Sequence, residues 1–302
     1  MFPNIFRSGG NSSYDSSGWP TYCPRQDGRD LIKEWKAFNK QGNVVRNKKD
    51  LLNLEKDKCE KILGLFSLSY MPYDDELDSY TDSPSLLNMT SVAIDCLMQR
   101  GGEKGFFLMV EAGRIDHAHH DSQAVRAIGE TLALDTAVQD ILEKVNLDET
   151  LVIVTADHSH TMAIGGYPGR SADISGISQG DKNWVMKADD GKPFPVLGYS
   201  NGPGFKKLRV NQDTDAVDWH AIERSEGTGG AKLGDPEFVY PGAVPLTRET
   251  HGGDDVGVWA SGPWAHLFQG VQEQTHIADV MSLAGCIGPH KDLCGVRKRN
   301  KE

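Results

Sequence analysis

The chain has 302 residues, with 32 Lys and Arg against 43 Asp and Glu, which gives a formal net charge of −11. This acidic balance disfavours nucleic acid or an anionic membrane surface as a partner, because both attract basic patches. The longest clear apolar run, 106–110, is far shorter than the roughly 20 residues that span a bilayer. We therefore predict a globular protein with no transmembrane segment.

The first third of the chain predicts an irregular arm followed by short elements. Residues 1–28 are rich in Gly, Ser, Asn and Pro and contain no basic-then-apolar signal segment. The acidic loop 73–82 is interpreted as a solvated face, with a calcium site as the less favoured alternative. Short helices are predicted at 30–39 and 48–54, a strand at 62–68, and a longer helix from Ser85 to Met98.

The clearest pattern is a strand, a helix and a second strand. Residues 106–110 form a continuous apolar run (FFLMV) that is typical of a strand buried on both faces of a parallel sheet. Apolar side chains then recur at helical spacing through 121–145, and the run 150–155 repeats the buried-strand pattern. A βαβ unit of this kind predicts right-handed parallel pairing.

The next 85 or so residues have a different character, because Gly, Ser, Pro, Asn and Asp dominate from 161 to 245. Only short strands are predicted there, at 184–186 and 238–240. A strand at 256–260 and a helix at 273–283 then complete an α/β fold.

Polar clusters rich in histidine adjoin three of these predicted strands. Six of the ten histidines lie in them, and no cysteine does. Imidazole and carboxylate are the ligands of divalent zinc when thiolates are absent, so we predict a dinuclear or larger metal site at the strand ends. The candidate residues are Glu111, Asp116, His117, His119, His120, Asp157, His158, His160 and His251.

The spacing within the clusters separates ligands from neighbours. Asp116 and His120 are four residues apart, so one helical turn presents both to a single ion, and His251 is a remote third ligand. Asp157 and His158 are adjacent, which suits a turn after a strand. These clusters favour metal-assisted hydrolysis of a phosphate or sulfate ester.

Other polar residues in these clusters are assigned differently. Glu111 at the end of a buried strand is costly unless it is paired or metal-bound. His117 and His119 point away from His120 in a helix, which favours contacts with the ligands or the substrate, and His160 is equally consistent with a structural role. A structural role is favoured for the remaining histidines, His220, His266, His276 and His290.

The three clusters, VEAGRIDHAHH at 110–120, TADHSH at 155–160 and ETHGGDD at 249–255, resemble the downstream metal-binding motifs of animal alkaline phosphatases. Segments at 165–168, 262–267 and 270–275 also resemble that family. The resemblance implies a three-layer α/β fold with a mainly parallel central sheet, and a single, partial domain over 1–302. It also implies that 166–245 is a crown insertion, which packs at a homodimer interface.

The resemblance assigns two zinc sites by motif position. Asp116, His120 and His251 correspond to the ligands of the first zinc, and Asp157 and His158 to ligands of the second. It further implies hydrolysis of phosphate monoesters, with zinc and magnesium as cofactors.

The remaining family features fall on six positions. Glu111 corresponds to a magnesium ligand, and His117 to a residue near the phosphate. Cys286 and Cys294 bracket a short loop that a disulfide could close, and they resemble the C-terminal disulfide of the family. Asn11 and Asn88 match the glycosylation acceptor pattern, and an extracellular or cell-surface location is implied.

The chain departs from the family at its nucleophile. An Asp-Ser-Ala-Gly-Thr segment carries the family's catalytic serine, and the 302 residues contain none; 121–123 is not a substitute. We therefore expect a truncated chain with little or no activity alone. The alternative is a non-catalytic, zinc-binding, dimerising pseudoenzyme fragment. Ser67 stands where the family has an acidic calcium ligand, which argues against a calcium site with Asp82.

Overall fold

The computed structural model describes residues 27–55, 59–67, 69–79, 82–181, 184–189, 191–205, 209–210, 217–218 and 231–291. The chain forms two compact units. The first comprises Met1–Ala137 and His160–His251, and the second comprises Val138–Ser159 and Gly252–Glu302. No helix of the described residues combines the length and apolarity needed to cross a membrane.

The helices lie close to the predicted positions. Asp30 caps α1 by accepting hydrogen bonds from the backbone of Ile32 and Lys33. Ser85 and Asn88 form a capping box at the start of α3, which fixes where that helix begins. In the described part of the chain the helices are α1 (Leu31–Phe38), α2 (Lys48–Leu52), α3 (Leu86–Gly101), α4 (Arg114–His120), α5 (Ala124–Lys144) and α6 (Thr275–Ala284).

The strands are short, and both parallel and antiparallel pairs occur. In the first unit β1 pairs with β2 in parallel, and β6 pairs antiparallel with β5 and parallel with β9. In the second unit β3 pairs antiparallel with β11. The strands are β1 (Asn43–Val45), β2 (Ile62–Gly64), β3 (Val152–Thr155), β4 (Ser159–His160), β5 (Met162–Ile164), β6 (Leu197–Gly202), β7 (Arg209–Val210), β8 (Val217–Asp218), β9 (Gly242–Pro245), β10 (His251–Gly252) and β11 (Val258–Ser261).

The predicted buried strand at 106–110 is wrong. This segment pairs with no other described strand, and Phe107 and Met109 are 70% and 77% exposed. An apolar run indicates that side chains favour burial, but a strand also needs a neighbour for its backbone hydrogen bonds. The predicted parallel βαβ pairing is therefore absent. The described strands form sheets of two or three strands in place of one mainly parallel central sheet.

The core of the first unit joins the start of α5 to the region predicted as an insertion. Ala124 on α5 packs with Leu197 and Tyr199 of β6 and with Phe238 and Tyr240. These last two side chains are fully buried, but the predicted strand at 238–240 is absent, as is the one at 184–186. In its described part, 166–245 consists of short strands, isolated bridges and loops. This packing holds α4, which immediately precedes α5, against the same β6.

The acidic loop is more than a solvated face. Residues Asp74–Ser79 form a 3-10 helix, and Asp75 and Glu76 both pair with the buried guanidinium of Arg126 on α5. The interpretation of the whole loop as solvated surface is therefore wrong for Asp75 and Glu76. Ser67, which lies outside this loop, donates a hydrogen bond from its hydroxyl to the carbonyl of Tyr70.

The cysteines form a disulfide that the sequence analysis missed. Cys59, just before β2, is bonded to Cys96 in α3. Cys286 is also disulfide-bonded, while Cys294, its predicted partner, lies outside the described residues. Asn11 lies outside them as well. Asn88 is described, and its side-chain oxygen accepts the backbone N–H of Ser85.

Candidate metal centre

Helix α4 brings the first two candidate ligands together. Its two turns place Asp116 and His120 on one face, with His120 Nε2 3.4 Å from Asp116 Oδ1. Between them in sequence, Ala118 is buried against Tyr73 and Ala127. This contact orients α4, so that the Asp116–His120 face is turned away from the core.

His251 completes a three-residue centre with these two. Its Nε2 lies 3.1 Å from Asp116 Oδ1 and 3.1 Å from His120 Nε2. Four ligands at about 2.0–2.1 Å around a tetrahedral zinc are separated from one another by roughly 3.3 Å. Two imidazole nitrogens and one carboxylate oxygen therefore converge as the ligands of a single ion do.

The backbone around Glu249 determines which nitrogen of His120 is free. His120 Nδ1 lies 2.5 Å from the carbonyl oxygen of Glu249. Because a carbonyl can only accept, Nδ1 must carry the proton, which leaves the lone pair on Nε2. This is the nitrogen that faces Asp116 and His251, so the tautomer suits a metal ligand.

His160 bridges two carboxylates beside this centre. Its Nε2 lies 3.0 Å from Asp116 Oδ1, and its Nδ1 lies 2.6 Å from Glu249 Oε2. Burial acts to lower the pKa of His160, but the hydrogen bonds to Glu249 and Asp116 outweigh it and raise that pKa. The pKa of Asp116 is lowered despite burial, chiefly by His120 and then by His160 and His251.

Glu249 is the functional residue that sequence reasoning missed. Its side chain is fully buried, and the residue is only 1% exposed. Oε1 accepts two hydrogen bonds of 2.7 Å from Thr161, one from the backbone and one from the hydroxyl. Burial acts to raise the pKa of Glu249, but the hydrogen bonds from His160 and Thr161 lower it. Its position two residues before His251 was the only signal in the sequence.

His117 and His119 lie on other sides of α4. His117 Nδ1 is 2.8 Å from an Arg114 nitrogen, and its ring packs edge-on against Tyr70. His119 Nδ1 is 3.0 Å from the Tyr199 hydroxyl, and its ring stacks on His160. Burial lowers the pKa of both histidines to about 4, so both are neutral above pH 6.

The candidates of the second cluster follow β3 in the second compact unit. Asp157 is exposed, with 86% of its side chain accessible, and its Oδ2 lies 3.3 Å from Nε2 of the adjacent His158. Ser159 donates its hydroxyl to Asp254 Oδ2 at 3.2 Å, which ties this turn to the segment before β11. The turn after β3 thus presents an acid and an imidazole side by side.

Two further residues bear on the predicted site. Glu111, just before α4, is exposed. In the described part of the chain, two groups of His, Asp and Glu side chains lie close enough together to hold a metal, and Glu111 belongs to neither. Ser122 is fully buried, with a positive φ of 55°. Its hydroxyl makes no hydrogen bond. A serine without access to solvent cannot attack a substrate, so Ser122 does not replace a nucleophile.

Comparison with known proteins gives consistent matches. Residues 4–287 match the family model for alkaline phosphatase. The chain is 42% identical over 270 residues to an alkaline phosphatase of Gadus morhua, covering 88% of this chain and 52% of the relative. It is 38% identical over 273 residues to the tissue-nonspecific isozyme of Homo sapiens, covering 89% and 48%.

Two further relatives extend this result. A membrane-bound alkaline phosphatase of Bombyx mori is 40% identical over 275 residues, covering 89% of this chain and 46% of the relative. Among solved structures, a mutant of TAB5 alkaline phosphatase is similar with a TM-score of 0.52 at 19% identity, covering 87% of this chain and 57% of that one. The chain spans about half the length of the relatives that it matches.

Proposed function

Because the chain belongs to the alkaline phosphatase family, we propose that it takes part in metal-dependent hydrolysis of phosphate monoesters. The observation that carries the proposal is the convergence of Asp116 Oδ1, His120 Nε2 and His251 Nε2, at separations of 3.1–3.4 Å. Each of these three atoms can present a lone pair to the same cation, and their separations match those between the ligands of a single zinc ion.

The donor set favours zinc at this centre. Two neutral imidazoles and one carboxylate are a common catalytic set for zinc, and they leave a position open for water or substrate. We propose Asp157 and His158 as ligands of a second zinc and Glu111 as a ligand of magnesium, by their position in the family motifs. Bound ions of this kind stabilise charge on phosphate oxygens and lower the pKa of bound water.

Arg114 and His117 lie beside the centre, and we place them on the side where the substrate binds. Arg114 can only donate, so its 2.8 Å contact makes Nδ1 of His117 an acceptor and leaves the proton on Nε2. With its pKa lowered to about 4 by burial, His117 stays neutral at alkaline pH. We propose that its Nε2–H donates a hydrogen bond to a phosphate oxygen.

The nucleophile determines how much of the reaction these 302 residues can perform. Alkaline phosphatase chemistry through a covalent intermediate needs a serine beside the metals. No Asp-Ser-Ala-Gly-Thr segment is present, and Ser122 is buried. We therefore propose that the chain alone binds zinc but has little or no turnover. A zinc-binding, dimerising role without catalysis is the alternative.

Further properties are proposed from the family alone. These are homodimerisation through 166–245, a disulfide between Cys286 and Cys294, and glycosylation at Asn11 or Asn88. An extracellular or cell-surface location is proposed with them, since one relative is named a membrane-bound alkaline phosphatase.

One set of measurements tests the proposal. The purified chain and its His120→Ala variant are assayed with a chromogenic phosphate ester in zinc and magnesium, and bound zinc is counted. We expect stoichiometric zinc in the wild type, less zinc in the variant and little turnover in either. Robust turnover that His120→Ala abolishes would refute the low activity proposed for the chain alone. An absence of zinc binding in the wild type would refute the metal centre itself.

A further inference from the structure

We propose that Glu249 is a positioning residue that holds two side chains of the metal centre in their binding orientation, His120 directly and Asp116 through His160. The inference rests on the proposed function, since it assumes that Asp116, His120 and His251 bind zinc. It concerns a residue that contacts His120 and His160 and does not itself bind the ion.

The first connection runs through the backbone of Glu249. Its carbonyl accepts a hydrogen bond from His120 Nδ1–H at 2.5 Å, and its N–H donates a hydrogen bond to the His120 carbonyl at 2.8 Å. The two contacts join the end of α4 to the segment before β10. They fix both the rotation of the imidazole and its tautomer, since Nε2 is left as the free nitrogen.

The second connection runs through the side chain. Glu249 Oε2 lies 2.6 Å from His160 Nδ1, and His160 Nε2 lies 3.0 Å from Asp116 Oδ1. His160 is therefore held at both nitrogens, and its hydrogen bond to Asp116 Oδ1 orients the carboxylate that approaches His120 and His251. Carboxylate–histidine contacts of this type orient the residues around metal sites in other proteins.

The carboxylate of Glu249 already accepts three hydrogen bonds. Oε1 accepts two hydrogen bonds from Thr161, and Oε2 takes the contact with His160. Although Glu249, His120 and His160 lie close enough together to suggest a metal group, a metal would have to compete with these three hydrogen bonds for the carboxylate oxygens. The geometry therefore supports an orienting role in place of coordination.

The experiment compares zinc affinity in two matched variants of the full 302-residue chain. Glu249→Gln removes the charge and weakens the contact with His160, but it keeps the backbone contacts with His120. Glu130→Gln is the control, because Glu130 is also buried and accepts a backbone N–H, that of Asp74, away from the centre. Zinc affinity is measured by competition with a chromophoric chelator, and unfolding is followed in the metal-free chain.

We expect Glu249→Gln to weaken zinc binding by about 10–100-fold, the usual effect of removing an orienting contact. We also expect it to change the visible absorption of the cobalt-substituted chain. Glu130→Gln should lower only the stability. Equal zinc affinity and an unchanged cobalt spectrum in Glu249→Gln would overturn the inference while leaving the proposed function intact. A wild-type chain that binds no zinc would instead overturn both.

Three more variants keep the inference testable if Glu249→Gln does not fold. Thr161→Val preserves shape but removes one hydrogen bond to Oε1, and we expect it to weaken zinc binding several-fold. His160→Gln and the double variant of His160 with Thr161 form a cycle. If Glu249 acts through His160, the Thr161→Val effect should largely disappear in the His160→Gln background. Full additivity, or no effect of Thr161→Val on affinity, would contradict the proposed connection.

Discussion

His120 and Glu249 are joined by two reciprocal contacts across 129 positions of the chain. His120 Nδ1 meets the Glu249 carbonyl at 2.5 Å, and the Glu249 N–H donates to the His120 carbonyl at 2.8 Å. The end of α4 and the segment before β10 are thereby fixed together at one point. His251 lies only two residues beyond Glu249, so this junction also helps to place the third ligand of the centre.

Removing His251 should greatly reduce metal binding without unfolding the chain. His251 is about half exposed, and its Nε2 lies 3.1 Å from both Asp116 and His120. We expect His251→Ala to weaken zinc affinity at least 100-fold, since a three-residue site loses one ligand, and to change the stability of the metal-free chain by less than about 1 kcal/mol. Calorimetric zinc titration and urea unfolding measure the two effects. His266→Ala, outside the centre, serves as the control.

Gly202 should not tolerate a side chain. Its φ of +127° disfavours any other residue, and a Cβ there would lie 2.6 Å from Ser122 Oγ and 3.0 Å from Glu249 Cβ. We expect Gly202→Ala to destabilise the chain by about 2–4 kcal/mol and to weaken zinc binding through displacement of Glu249.

Gly129 offers the matched control for that substitution. It lies within α5, and a Cβ there would meet nothing within 4 Å. Gly129→Ala should stabilise the chain by about 0.5–1 kcal/mol, because alanine favours the helix. Thermal unfolding of both variants tests the pair, and a neutral Gly202→Ala would show that the backbone there relaxes easily.

Tyr73 should make stability fall at strongly alkaline pH. Burial raises its pKa to about 12, whereas a tyrosine in the unfolded chain titrates near 10. Between these values the unfolded state loses its proton first, so the stabilisation that is present below pH 10 is lost as the pH rises towards 12. The wild type should lose up to about 2–3 kcal/mol more than Tyr73→Phe over this range.

Urea unfolding at pH 9, 11 and 12 measures this difference. The guanidinium groups of Arg114 and Arg126 lie over the Tyr73 ring, with their central carbons 3.5 and 4.4 Å from the ring centre. Phenylalanine keeps these contacts, so the variant isolates the hydroxyl. Parallel pH profiles of the two chains would contradict a raised pKa at Tyr73.

Arg126 should matter more for stability than an ordinary surface arginine. It is buried, and it pairs with Asp75 at 2.8 Å and with Glu76 at 3.5 Å. Arg126→Met keeps the apolar length of the side chain but removes the cation from these two carboxylates and from Glu237, which lies 3.7 Å away. This loss should cost about 1–3 kcal/mol after allowance for the exposure of the carboxylates. Chemical unfolding at low and high salt measures this loss of stability. Arg170→Met, a substitution at an exposed position, is the control.

The sequence predicted the helices well because they depend on local signals. Asp30 and Ser85 were recognisable as starting points, and both cap helices in the structure. It predicted 106–110 wrongly, since strand formation depends on a partner that the segment's own residues do not specify. The bond between Cys59 and Cys96 was missed for the same reason, because 37 positions separate them and neither lies in a recognisable pattern.

By itself, the sequence determined which types of side chain, imidazole and carboxylate, form the metal centre, and how those near in sequence are spaced. Asp116 and His120 lie four residues apart, and α4 brings them to one face. Only the tertiary structure decided that His251 meets them, that Glu249 is buried beneath them, and that His160 bonds to both carboxylates. The physical reason is that helical periodicity acts over four residues, whereas contacts across 44 to 135 positions depend on how the core packs. Hydrogen-bond partners, tautomers and buried charges follow from that packing.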